Sequence, residues 1–187
     1  MATEARFHAL QSCLLRRRAN PVASRAGSFK TVWTGCRQIH GDGTPHAWMN
    51  DTLFDTKIAI VLRDDLAGWQ RLNVAAFLMG GIVGGTPQII GEAYRDAAGN
   101  IYSSLPIQPV IILCCDWQNM SSIHLRALQR QIRIALYIEE MFYTGHDAAN
   151  RAVFAQFAPH DSTLVGLALR AERKLVDKIT KGARLHP

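Results

Sequence analysis

The feature that most constrains the fold of this chain is residues 57–85, where an apolar run, a charged turn and a helix-like pattern follow one another. Residues 57–62 read KIAIVL and are rich in β-branched side chains, which is typical of a strand covered on both faces. The triplet RDD at 63–65 brings the chain to the surface at the carboxyl end of that strand. Open α/β sheets tend to bind ligands at this edge, so we expect Asp65 to line a polar site there.

A helix follows, because apolar side chains after Gly68 recur every three or four residues. The residues that follow this spacing are Leu72, Ala75, Ala76, Met79 and Val83. The opposite face is also apolar, which predicts burial on both sides and favours a homodimer through the helix from Leu72 to Val83. Glycines and a proline follow at the end of the helix, where they cap and stop it. We therefore interpret these glycines as packing residues rather than as a phosphate cradle.

Further apolar runs predict three more strands and the helices between them. We expect strands at 110–115, 135–138 and 164–169, a hairpin turn at 96–100, and helices at 147–157 and 171–181. We also expect Ser121 or Ser122 to cap the helix after the second strand, with Leu125, Leu128 and Ile132 facing the core. Strands that alternate with helices predict an α/β fold. The expected architecture is a three-layer sandwich, with a mixed sheet of four to five strands and helices on both faces.

The positive charge of the chain is concentrated near its N-terminus. The net charge is +6 overall. Residues 1–48 hold seven basic and two acidic side chains, whereas residues 49–187 hold fourteen basic and thirteen acidic ones. An arginine-rich, acid-poor leader is typical of a transit peptide, or of a stretch read from an upstream start codon with Met49 as the true start. We expect residues 1–48 to be disordered or weakly packed and residues 49–187 to form one domain.

Several function classes lack their sequence signatures. The chain has no G-x-S-x-G elbow, Walker loop, H-E-x-x-H or G-x-G-x-x-G motif, and its four cysteines form no C-x-x-C pair. We therefore expect no metal and no cofactor. No apolar run reaches the roughly 20 residues that a membrane span needs, so we expect a cytoplasmic protein without a membrane partner.

Two pairs of segments resemble the peptidyl-tRNA hydrolase type II superfamily. Residues 57–66 with 73–76 form the first pair, and residues 163–167 with 175–180 form the second. The pentapeptide LNVAA at 72–76, the turn at 96–100 and KLVDK at 174–178 are more closely similar to the DUF2000 branch of that superfamily, a bacterial family of unknown function. The resemblance covers the chain from Lys57 to about Leu185 and implies the peptidyl-tRNA hydrolase II-like fold.

The resemblance also implies an activity and a set of site residues. The superfamily's enzymes cleave the ester between a peptide and tRNA without a required metal. The lysine at the start of their first helix aligns with Asn73, and Arg71 matches an earlier lysine. Their aspartate and the threonine four residues later correspond in spacing to Glu140 and Thr144, and Thr163 matches a family threonine.

In that interpretation Glu140 orients or deprotonates water, and Asn73 with Arg71 stabilises the oxyanion. The substrate would be tRNA-like or a small acylated ligand. Spacing alone also fits simpler explanations, in which Glu140 is a charged strand end and Thr163 an ordinary cap or strand residue.

The alternative is a non-catalytic module that binds a small ligand or a protein, and its apolar first helix favours a dimer. The missing lysine and the near-neutral domain favour the binding module. The retained Arg71 favours the enzyme, as does a basic stripe of Arg126, Arg130 and Arg133.

Overall fold

The computed structural model describes residues 54–161 and 163–187. The expectations for residues 1–48 and for a start at Met49 lie outside these residues. The strands are β1 (Thr56–Arg63), β2 (Tyr94–Arg95), β3 (Ile101–Tyr102), β4 (Val110–Cys115), β5 (Ile134–Ile138), β6 (Leu164–Glu172) and β7 (Arg184–Leu185). The helices are α1 (Gly68–Gly85), α2 (Trp117–Gln129), α3 (Asp147–Phe154) and α4 (Arg173–Ile179), with 3₁₀ turns at Pro87–Ile89 and Glu139–Tyr143.

Five of the strands form one mixed sheet in the order β5-β6-β1-β4-β7. Strand β1 pairs in parallel with β4 and antiparallel with β6, and the outer strands β5 and β7 are antiparallel to their neighbours. Strands β2 and β3 form a separate hairpin. The prediction of an α/β chain with a mixed sheet of four to five strands is confirmed.

The sheet is covered on both faces because β1 sends alternate side chains to two cores. Ile58, Ile60 and Leu62 pack with α1 on one face, while Ala59 and Val61 pack with α2 and α4 on the other. This arrangement explains why β1 reads as an unbroken apolar run. Among the described residues, no helix combines the length and the hydropathy that a membrane-spanning segment requires.

Two expectations about side-chain burial are met only in part. The buried row of α1 consists of Val74, Leu78 and Ile82. Ala75, Met79 and Val83 pack against the same core, whereas Leu72 is 76% exposed. Because α1 is apolar nearly all round, its periodicity alone does not determine which face meets the sheet. In α2 the buried side chains are Met120, Ile123, His124 and Ala127, whereas Leu128 is 43% exposed.

The boundaries of three helices also differ from the expectations. Helix α3 ends at Phe154, three residues before its expected end. Helix α2 begins at Trp117, before both serines, and Asp116 caps it by accepting a hydrogen bond from the Asn119 backbone at 2.8 Å. Helix α4 begins later than expected, since β6 continues to Glu172, where it still pairs with Thr56 of β1. The short strand β7 was absent from the sequence prediction.

A close contact between α1 and the sheet depends on one glycine. A Cβ atom on Gly166 would lie 2.6 Å from the Val74 Cγ1 atom and 3.1 Å from the Leu78 Cδ1 atom. Valine is β-branched and stiff, so it cannot move away without a backbone shift.

We expect Gly166→Ala to lower the free energy of unfolding by about 1–3 kcal/mol, because the added methyl overpacks this contact. The matched control is Gly80→Ala, since a Cβ atom there meets nothing within 4 Å. That change should be neutral or stabilise α1 by up to about 1 kcal/mol. Chemical denaturation measures both values, and equal effects of the two variants would contradict the expectation.

Candidate functional site

A groove of about 710 Å³ opens between α1, the end of β5 and α3. Its wall is largely aromatic, and the rings come from four different elements. Trp69 and Phe77 lie on α1, Tyr137 on β5, Phe142 in the following 3₁₀ turn, and Phe154 on α3.

Four of these rings form a continuous row in which Tyr137 is central. The Tyr137 ring lies 5.6 Å from the Phe77 ring and 5.1 Å from the Phe142 ring, and Phe142 lies 5.6 Å from Trp69. The first and last of these contacts are edge-to-face and the Tyr137–Phe142 contact is tilted, and such contacts favour a defined arrangement of the rings. The groove wall is therefore a packed aromatic surface rather than a set of independent side chains.

Asn73 faces this aromatic row from α1. The Tyr137 hydroxyl donates a hydrogen bond to the Asn73 Oδ1 atom at 3.3 Å, which ties α1 to β5 inside the groove. Burial raises the pKa of Tyr137, so its hydroxyl keeps its proton and remains a donor at neutral pH.

The opposite side of the groove carries Thr144, His146 and Asn150. The Thr144 hydroxyl contacts the Asn150 Oδ1 atom and lies 2.9 Å from the Met141 carbonyl oxygen. His146 caps α3, because its Nδ1 atom accepts a hydrogen bond from the Ala149 backbone at 3.2 Å. These contacts hold three polar side chains where the chain turns into α3.

Glu140 and Thr163 line a different cavity. This second cavity has a volume of about 250 Å³, and Gln156, Phe157 and Asp161 also line it. Within the described ranges, the buried Glu140 Oε2 atom has no hydrogen-bond partner. The structure thus brings Asn73 and Thr144 to one cavity, and Glu140 and Thr163 to another.

Asp65 and Arg71 lie at the carboxyl end of β1, and neither lines the groove. Arg71 donates from Nη2 to the Asp64 carbonyl oxygen at 2.8 Å. Asp65 accepts from the Arg63 Nε atom at 2.6 Å, and Arg63 also pairs with Glu139 at 3.1 Å. These charged groups tie the end of β1 to neighbouring segments.

In the part of the chain that the structure describes, no group of three or more His, Cys, Asp and Glu side chains is arranged to hold a metal ion. The adjacent thiols of Cys114 and Cys115 are buried and unpaired with each other. Burial raises the pKa of Cys115 to about 12, so this thiol is protonated and a poor nucleophile at neutral pH.

The sequence profile described as "Protein of unknown function (DUF2000)" matches residues 56–187. This chain belongs to that family. Its described domain is similar to a solved structure from Agrobacterium tumefaciens strain C58, the protein of unknown function Atu0240, at 62% sequence identity and a TM-score of 0.71. The match covers 72% of this chain and 100% of that one. No curated protein matches the sequence.

Sequence reasoning missed most of the groove in this DUF2000 chain. It identified Asn73 and Thr144 but not the aromatic wall, nor His146 and Asn150. One usable signal was present, because the segment YIEEMFY at 137–143 places three aromatic side chains beside two glutamates just after a strand. Aromatic side chains at such a strand end indicate a ligand surface as readily as the charges do.

The second cavity of the DUF2000 chain borders a buried histidine. His124 is 2% exposed, and its ring lies 5.9 Å from the ring of Phe157, which lines that cavity. Burial lowers the pKa of His124 and nearby His160 lowers it further, while the Pro159 backbone opposes this shift. The native imidazole is therefore held neutral.

We expect acidification below about pH 6.5 to reduce the free energy of unfolding through His124. The unfolded histidine takes up a proton near that pH, whereas the native one does so only at a lower pH. The unfolded state thus binds more protons in this window, and acid favours it. His124→Gln should flatten the pH dependence measured by urea denaturation between neutral pH and mild acid. The control His186→Gln, outside both core clusters, should leave the slope unchanged. A slope unaltered by His124→Gln would refute the prediction.

Proposed function

We propose that the protein binds a small ligand in the groove between α1 and α3. The observation that carries this proposal is the convergence of an aromatic wall and a few polar side chains on one concavity of about 710 Å³. Small-molecule sites are typically of this size, predominantly apolar, and equipped with a few polar groups that fix orientation. This is the non-catalytic small-ligand alternative considered from the sequence.

The exposure of the wall supports the same function. Trp69 is 60% exposed and Phe77 is 53% exposed, although both rings belong to a packed aromatic row. Covering such rings with an apolar ligand removes hydrocarbon surface from water, which is favourable by about 25 cal/mol per Å². Aromatic surface that the fold leaves open is thus available to a ligand.

We expect Phe77→Ala to weaken the binding of aromatic fragments at least about fivefold, because it removes one ring from the wall at little cost to folding. The control is Leu72→Ala on the same helix, because Leu72 is 76% exposed and does not line the groove. Fragment titrations followed by ¹H–¹⁵N NMR give both affinities. Equal affinities for Phe77→Ala and the unaltered chain, or an equal loss in Leu72→Ala, would contradict the groove as the binding site.

A second candidate is a metal-independent hydrolase of an acyl ester or amide on a tRNA-like or acylated substrate. Its support is the resemblance to the peptidyl-tRNA hydrolase II-like fold, together with the position of Asn73 and Thr144 in one groove. The separate cavity of Glu140 favours binding over hydrolysis, since the proposed base and the proposed oxyanion donor line different cavities.

A homodimer through α1 is a further proposal. The exposed side chain of Leu72 supports it, and sedimentation at several protein concentrations tests it.

A direct assay separates the two candidates. We expect the full chain to release no acyl amino acid from an N-acetylaminoacyl-tRNA, because Asn73 supplies no ammonium for the oxyanion. Cleavage by the unaltered chain that Glu140→Ala abolishes would establish the hydrolase instead. Cleavage by Asn73→Lys alone would indicate a hydrolase scaffold that has lost its activity. Binding of tRNA that weakens steeply with salt would separately identify phosphate contacts.

A further inference from the structure

The polar side chains of the groove share a pattern of hydrogen bonding. In each of three residues, the acceptor atom is already occupied by a donor of the protein. The Asn73 Oδ1 atom accepts from the Tyr137 hydroxyl, and the His146 Nδ1 atom accepts from the Ala149 backbone. The Asn150 Oδ1 atom contacts the Thr144 hydroxyl, whose single proton it shares with the Met141 carbonyl oxygen.

What these residues mainly offer to a ligand is hydrogen-bond donors. An asparagine whose Oδ1 atom is engaged still offers two N–H groups, and a neutral histidine that accepts at Nδ1 carries its proton on Nε2. Within residues 54–161 and 163–187, the Asn73 Nδ2, Asn150 Nδ2 and His146 Nε2 atoms have no hydrogen-bond partner. The groove thus combines an aromatic wall with a set of available N–H donors.

The charge of the groove limits how anionic a ligand can be. Its only guanidinium among the described lining residues is Arg151, which pairs with Asp147 at 2.5 Å. No lysine of the described ranges lines the groove. Binding of multiply charged phosphate groups relies on cations such as arginine and lysine. Neutral donors instead suit an uncharged carbonyl or a single carboxylate, to which charge-assisted hydrogen bonds form readily.

We propose that the groove selects ligands whose polar group is a hydrogen-bond acceptor, a carboxylate or an acyl carbonyl, on an aromatic or aliphatic body. The body covers the aromatic row, and the acceptor is bound by Asn73, His146 and Asn150. This inference rests on the proposed ligand-binding function and adds the chemical class of the ligand. It also disfavours amines, because an ammonium group would face the N–H groups of Asn73, His146 and Asn150, and the Asp147 carboxylate that lines the groove is already paired with Arg151.

Three probes with the same body test this selection. The probes are 3-phenylpropionate, 3-phenylpropionamide and 3-phenylpropylamine, titrated into the full chain at neutral pH and followed by ¹H–¹⁵N NMR. We expect the carboxylate and the amide to bind at least about tenfold more tightly than the amine, because an ammonium leaves the donors unpaired. The side-chain amide signals of Asn73 and Asn150 should shift with the first two probes.

Two nearly isosteric variants test the donors themselves. Asn73→Asp and Asn150→Asp each keep an Oδ1 acceptor for Tyr137 or Thr144 but replace the N–H donors with a second acceptor oxygen. We expect each to weaken 3-phenylpropionate at least about tenfold and to improve binding of 3-phenylpropylamine. The control Gln129→Glu adds the same charge at the exposed end of α2, outside the groove, and should change neither affinity.

The outcomes separate this inference from the function on which it rests. If the amine binds as tightly as the carboxylate while Phe77→Ala weakens both, the groove binds ligands but the selection for acceptors is wrong. Unchanged affinities in both aspartate variants would also overturn the selection. If none of the three probes binds at millimolar concentration, the groove proposal fails, and the inference fails with it.

Discussion

The close approach of α1 to β6 at Gly166 determines where the groove forms. Gly166 has no side chain, so Val74 of α1 occupies the space that a Cβ atom would need. In the pairing of β5 with β6, Tyr137 stands directly opposite Gly166. The ring of Tyr137 therefore reaches α1, where its hydroxyl bonds to Asn73, the neighbour of Val74. The absence of a side chain at Gly166 thus allows α1, β5 and the Tyr137 ring to come together.

The buried strands of this fold could be predicted well from the sequence because their burial makes the pattern unambiguous, whereas the exposed two-residue strand β7 could not. β4 was expected at 110–115 and is observed at Val110–Cys115. β1 differs from its expected range by one residue at each end.

The orientation of α1 could not be predicted from the sequence. Leu72 and Leu78 are equally apolar, and only the contact with the sheet determines which of them is buried. The cap of α2 differs from the expected Ser121 or Ser122 because Asp116, the residue directly after β4, already begins the helix.

The candidate site was less accessible to sequence reasoning than the fold. Asn73 and Thr144 were identified through a family resemblance, and they do share the groove. Glu140 follows the same strand as Thr144, but the 3₁₀ turn Glu139–Tyr143 directs the two side chains to different cavities. No spacing rule anticipates that turn. His146 and Asn150 belong to a segment whose polar residues read as ordinary surface until the capping of α3 defines their orientation.

The distribution of charge favours the groove over the strand edge as the proposed ligand site. At the carboxyl end of β1, Arg63 pairs with Asp65 and Glu139, and Arg184 pairs with Asp64 at 3.2 Å. These ions stabilise one another, so an entering anion would have to compete with carboxylates already in contact with the guanidinium groups. In the groove the donors are neutral, and replacing their water with a ligand oxygen costs little electrostatic work. The charged groups at the strand edge therefore stabilise the neighbouring loops, and this supports the proposal that a ligand binds at the surface built from α1, β5 and α3.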